Sequence, residues 1–124
     1  MSIVFIIPII FTVYNRQWLG ASACVFILVA SILNHSIKIF EIWVLDQMAC
    51  LYIIAVSFYY TVHYRLFYIT LPLLLYVLLI YHFGYITRTM VWCEKPAESR
   101  LWHSSIHVFT AFAATYISYA VAKL

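Results

Sequence analysis

The sequence predicts an all-α protein, a multi-span transmembrane helical bundle of about five helices in which residues 1–124 form a single domain. Three observations carry that expectation. Hydrophobic residues make up 67% of the chain and charged residues 9%, against about half and a quarter in soluble proteins, so too few charges exist to build a water-facing surface. The apolar residues fall in continuous runs near the ~20 residues that cross a bilayer as a helix, not in the alternating segments of about ten residues that make a membrane barrel. Tryptophans and tyrosines gather near the ends of those runs, at Trp18, Trp43, Trp92, Trp102 and the group Tyr59, Tyr60, Tyr64 and Tyr68, as interfacial anchors do.

Polar punctuation divides the chain into five segments. The first runs from about Ile3 to Tyr14 and contains Pro8; it is short for a span. Nothing basic precedes it and Arg16 interrupts the approach to Ala21-Ser22-Ala23, so it is expected to be a short first span and not a cleaved signal. Asn15-Arg16-Gln17 makes the turn into the second segment, about Trp18 to His35. The third covers about Ile39 to Tyr60. The fourth covers about Leu66 to Ile86, with Thr70 and Pro72 as a candidate later start for its helix, since proline suits the first helical position. A charged loop from Thr87 to Arg100 leads to the fifth segment, about Leu101 to Ala122.

A net charge of +3 without a basic cluster fits interfacial Lys and Arg and excludes a nucleic-acid surface. Alternating spans put Lys38, Arg88, Lys95 and Arg100 on one side and Arg16, Arg65 and Lys123 on the other, which is too even to set orientation. The three cysteines, Cys24, Cys50 and Cys93, lie far apart. That spacing indicates neither a thiolate zinc site nor a disulfide framework.

Five polar positions stand out against this background: Ser31 and His35, Asp46 eleven residues further on, and His103 with His107. Charged groups within membrane helices cost roughly 2.5–3.5 kcal/mol each on insertion scales, and those that persist mark function. Alternation of five helices brings the end of the second segment and the starts of the third and fifth to one membrane face, so the five positions converge. His103 and His107 are one helical turn apart and project from one face, which suits two nitrogen ligands to one metal. A third imidazole from His35 completes the three-ligand arrangement that leaves zinc an open position for water. Asp46 is then placed to take a proton from that water.

Each residue also has a plain structural role open to it. Ser31 could bond back to its own helix, Asp46 could pair with Lys38 or cap a neighbouring helix, and a histidine near a helix end is commonly interfacial, as expected for His63 and His82. A haem would want histidines on facing helices at matched depth. Magnesium or calcium would want oxygen ligands, which are scarce here.

The stretch from Ser31 to His35, the run Leu45-Asp46-Gln47-Met48 after Phe40 and Glu41, and the later His103-Ser-Ser-Ile-His107 resemble the alkaline ceramidases. More broadly they are similar to the CREST superfamily of seven-helix membrane zinc hydrolases, which includes adiponectin-receptor-like and GPI-remodelling proteins. The resemblance covers about a third of the chain and implies a reduced, roughly five-helix version of that fold. It implies zinc held by His35, His103 and His107, with Asp46 and Ser31 as catalytic residues. Asp46 would orient and deprotonate the water, and Ser31 would assist at the metal-bound oxygen. The implied activity is zinc-dependent cleavage of a ceramide-like lipid amide within a membrane, with an acyl-ester lipid as the nearest alternative substrate. Losing two helices preserves the parity that gathers the site, and thins the walls around a lipid chain, which a homo-oligomer would restore. The acidic N-terminal calcium segment of ceramidases has no counterpart, since the first acidic residue is Glu41. Two rival functions remain: a non-catalytic adaptor with a structural metal, and a small channel or carrier lined by the same groups.

Overall fold

A computed structural model describes residues 2–124. Among them the chain is helical, with no strand. A 3-10 turn (Ser2–Phe5) leads into α1 (Ile6–Tyr14), followed by α2 (Trp18–Ser36), α3 (Phe40–Tyr64) and α4 (Phe67–Leu78). A turn of π-helix (Leu79–Phe83), α5 (Gly84–Thr87), a second 3-10 turn (Met90–Trp92) and α6 (Pro96–Lys123) complete it. Four rods are long and apolar enough to cross a membrane: α2, α3, the continuous unit Phe67–Thr87, and α6. The chain is an integral, multi-pass membrane protein. The opening helix, Ile3–Tyr14, is shorter; its length of about 18 Å falls well short of a ~30 Å hydrocarbon core.

Two boundaries differ from the sequence expectation, each for a local reason. The fifth segment starts as a helix at Pro96, inside the charged loop, because proline occupies the first turn of α6, where its missing N–H has no cost. The fourth segment is helical from Phe67, so Thr70 and Pro72 do not delay it; Pro72 lies inside α4. The segment continues through the π turn into α5 as one rod, so it is a single span and α6 starts on the side where α3 begins.

Helix ends share a device. Arg16, Arg65 and Arg88 all take left-handed backbone, at φ of 56°, 57° and 53°, the conformation that commonly follows the last helical turn. Arg65 and Arg88 are the cap residues that close α3 and α5, where a positive side chain also meets the negative end of the helix dipole.

The interior is built on small residues. Gly20, Ala21, Ala23, Cys24 and Ala30 are buried along α2, and Ala49, Ile53, Val56 and Tyr60 lie at three- and four-residue steps along α3. In lipid, where hydrophobicity alone does not drive helices together, such residues let backbones approach. A methyl group at Gly20 would meet Thr12 Cγ2 at 3.2 Å and the Tyr60 ring at 3.7 Å, so this glycine lets α1 and α3 both close on α2. The short N-terminal helix is tied in at its far end: Asn15 Nδ2 donates to Ser118 Oγ at 3.2 Å and Gln17 Nε2 to the Ser118 carbonyl at 3.0 Å. By contrast α4 buries none of its residues. It stands off the bundle, and that separation shapes the site.

Candidate functional site

The polar residues singled out in the sequence lie on three helices whose ends meet. Ser31 and His35 are in the last turns of α2, Asp46 is in the second turn of α3, and His103 and His107 are in the first half of α6. Asp46 is 1% exposed, although it is a carboxyl group in an apolar bundle. Its Oδ2 accepts a hydrogen bond from Asn34 Nδ2 at 3.0 Å, while its Oδ1, equally buried, has no hydrogen-bond partner among the described residues. Buried polar atoms are nearly always satisfied, and leaving one bare costs about 1–3 kcal/mol. This oxygen therefore asks for a ligand or a proton.

The two histidines of α6 face each other. His107 Nε2 and His103 Nε2 are 2.9 Å apart, an approach that needs one proton between the nitrogens or a cation that both lone pairs address. Two Nε2 ligands of tetrahedral zinc at ~2.0–2.1 Å would stand about 3.3 Å apart, so a few tenths of an ångström separate this pair from a chelating one. His107 is 4% exposed, and the Phe5 ring, fully buried, packs edge-on against it with centroids 5.7 Å apart. Tyr81, in the π turn, brings its hydroxyl within 3.5 Å of His103 Nδ1. Single π turns inside α-helices often mark functional positions.

His35 stands differently from its expected partners. It is exposed at the end of α2. It lies within electrostatic range of Asp46, His103 and His107, yet among the described residues no three His, Cys, Asp or Glu side chains are grouped so as to hold a metal ion as they stand. Ser31, one turn earlier, is 1% exposed. The structure thus gathers Asp46, His103 and His107 beside the end of α2, where His35 stands exposed. Lys38, the other candidate partner of Asp46, is exposed; the bond runs to Asn34 instead.

The pair His103 and His107 opens onto a large cavity of about 410 Å³ between α3, the α4 rod and α6. Its walls are almost wholly apolar: Leu51, Ile54 and Phe58 from α3 face Leu71, Leu74 and Leu78 from α4. At one end it reaches the two histidines, Gln47 and Tyr81; at the other it reaches Thr61 and Thr70. A void of this size is within the range of ligand pockets, roughly 300–1,000 Å³, and far beyond the packing defects of a folded interior.

Asn34, Tyr81 and Phe5 escaped the sequence reading. Asn34 was a polar residue inside an apolar run, next to His35, which is a usable signal. Tyr81 was one of many interfacial-looking aromatics, and Phe5 belonged to a segment with no polar mark at all. Comparison of the chain with family models, curated proteins and solved structures gives no match.

Proposed function

We propose that this protein is a membrane-embedded zinc-dependent lipid hydrolase of the ceramidase-like kind, acting on a long-chain amide, with a lipid acyl ester as the alternative substrate. The observation that carries the reading is Asp46: a buried carboxyl group with one oxygen bare, within electrostatic reach of His103, whose imidazole stands with that of His107 at the head of an apolar cavity. The donor set suits the metal. His103 and His107 would hold it with their Nε2 atoms, and His35 would complete the set by turning its ring inward from the exposed end of α2. Bound there, zinc would supply a Lewis acid for the carbonyl and a water acidified to a pKa of about 7.

The chain's own residues divide the remaining work. Asp46 takes a proton from the attacking water through its free Oδ1, as water adds to the carbonyl carbon. It returns that proton to the nitrogen as the C–N bond breaks, so a fatty acid and an amine leave. Asn34 holds the other carboxyl oxygen and fixes the direction in which Oδ1 points. Ser31 donates a hydrogen bond to the oxyanion that develops on the carbonyl oxygen. Leu51, Ile54, Leu74 and their neighbours sheath the acyl chain and keep bulk water from the reacting carbonyl. The missing two helices of the larger fold are offset, in this reading, by the bilayer itself along the open side of the cavity.

The test is elemental mass spectrometry of detergent-purified protein, wild type beside the His103→Ala/His107→Ala double variant, followed by turnover of a long-chain ceramide and a matched acyl ester. About one zinc per chain, lost in the double variant, together with release of fatty acid from either substrate, is the expected result. Zinc without hydrolysis of either would leave a structural metal in a non-catalytic adaptor. No zinc in well-folded wild type would remove the hydrolase reading.

A further inference from the structure

The far end of the cavity has a closure of its own. Thr61 Oγ1 and Thr70 Oγ1 lie 2.5 Å apart, joining α3 to α4. One hydroxyl donates to the other, and the acceptor of the pair spends its own proton on its own helix, with the Ser57 carbonyl 2.7 Å from Thr61 Oγ1 and the Leu66 carbonyl 3.0 Å from Thr70 Oγ1. At and below this pair the hairpin closes: Phe67 forms the floor of the cavity, Thr61 and Leu66 are buried, and Arg65 turns the chain in left-handed backbone. Above it the two helices part. Leu51, Ile54 and Phe58 on α3, and Leu71, Leu74 and Leu78 on α4, recur at the three- and four-residue steps by which helices pack, yet all six remain exposed and line the cavity instead of one another. Two packing stripes have been held apart, and the lining on each forfeits its dispersion contacts until something apolar fills the gap.

The shape selects the filler. Gln47 and Thr61 are fourteen residues apart on α3, so the cavity runs about 21 Å along the helix at ~1.5 Å per residue. It is apolar along its length and polar at its head, which matches one lipid tail carrying a carbonyl group. One leaflet of hydrocarbon is about 15 Å deep, so the slot accepts a full-length tail.

We propose that the Thr61–Thr70 hydroxyl pair is the end stop of a single-tail slot and sets the acyl length that the protein accepts, centred on about sixteen carbons. The proposal deepens the hydrolase reading. It rests on that reading for the class of lipid, while the end stop rests on the geometry of α3 and α4. A longer tail would have to part the hydroxyl pair or bend out through the open side of the slot and give up its contacts there, and a shorter one would leave the foot of the slot empty.

The experiment uses the full chain in detergent, incubated with an equimolar mixture of saturated N-acylethanolamines of about ten to twenty-four carbons, with retained lipid weighed by native mass spectrometry. Wild type is expected to retain one lipid per chain, with a maximum near sixteen carbons and a fall of at least about tenfold beyond twenty. Thr61→Leu fills the foot and is expected to move the maximum down by about two carbons. Ser57→Leu blocks the slot one turn higher and is expected to move it down by about four. Thr61→Ser, which keeps the hydroxyl, should leave the maximum in place. Circular dichroism and size exclusion identify variants that do not fold, and either leucine variant alone suffices. Retention that simply rises with tail length, or an unmoved maximum in a folded leucine variant, overturns the end stop. So does a groove substitution that changes the oligomeric mass and not lipid retention, because the slot would then be covered by a second copy. Tuned retention without any hydrolysis upholds the end stop and removes the enzyme. Hydrolysis without a length maximum does the reverse.

Discussion

Asn34 Nδ2 holds one oxygen of Asp46 at 3.0 Å and leaves the other, buried in the same carboxyl group, bare. The division suits a proton acceptor, with one oxygen oriented and the second left for a ligand or a proton. A carboxyl group kept only for structure would have both oxygens paired. Asp46→Asn is therefore expected to retain zinc and fold while kcat for lipid cleavage falls by at least about 100-fold. Full turnover in that variant would sink the proposed mechanism.

Asn34→Ala tests the other half of the relationship. It strips the remaining partner from a buried oxygen, so stability in detergent is expected to fall by about 1–3 kcal/mol. With the carboxyl free to rotate, kcat should drop about tenfold at nearly unchanged KM. Thermal unfolding and steady-state kinetics on one preparation separate the two effects. Equal losses in kcat and stability, reversed together on cooling, would make Asn34 a packing residue alone.

The approach of His103 and His107 predicts a response to metal removal. Dialysis against a strong chelator is expected to abolish turnover and to leave the helical circular dichroism near its starting value, since the C-terminal half of α6 is held by Ala111, Ala113, Ile117 and Ser118. Zinc added back should restore activity. Magnesium should not, because it prefers oxygen ligands.

Tyr76 and Ser105 tie the α4 rod to α6 beside the cavity, with their hydroxyl oxygens 2.7 Å apart. Ser105 Oγ spends its proton on the Trp102 carbonyl at 2.6 Å, so Tyr76 is the donor between them. Tyr76→Phe removes that donor and keeps the ring, and is expected to lower stability by about 0.6 kcal/mol, the average for such bonds within membranes. Denaturation in mixed micelles reads the change; a loss above about 2 kcal/mol would show that the ring also moves.

Gly84 predicts a steric effect at the other end of the rod. A Cβ there would sit 2.8 Å from the Thr89 carbonyl oxygen and 3.3 Å from Met90 Cβ. The loop must give way, and with it Trp92, whose indole N–H donates to the Tyr81 carbonyl at 3.1 Å. Gly84→Ala is expected to cost about 1–3 kcal/mol. It should also shift Trp92 emission, measured in a variant whose other tryptophans are replaced by phenylalanine; an unmoved spectrum would place the strain elsewhere.

Much of this protein could be read from its residues in order. Composition and run length alone determine a multi-pass helical membrane protein, because a bilayer permits few ways to satisfy a backbone and long apolar runs take the helical one. The parity of the spans follows as directly, and with it the convergence of Asp46, His103 and His107 near the end of α2, since each crossing reverses the chain. Spacing along one helix also placed the two α6 imidazoles on one face, for that depends only on the 3.6-residue period.

What tertiary structure decided is what depends on neighbours from other helices. That Asp46 finds Asn34 and not Lys38, that Phe5 walls in His107, and that His35 is left exposed are questions of rotamer and approach, which no spacing along one chain encodes. The slot between α3 and α4 is the clearest case. Its two apolar stripes have the period of helices that pack together, and only the placement of α4, pinned by Thr70 at its foot and Tyr76 beside α6, holds them apart. Periodicity says which face of a helix is apolar; distance between helices says whether that face meets protein or lines an open slot.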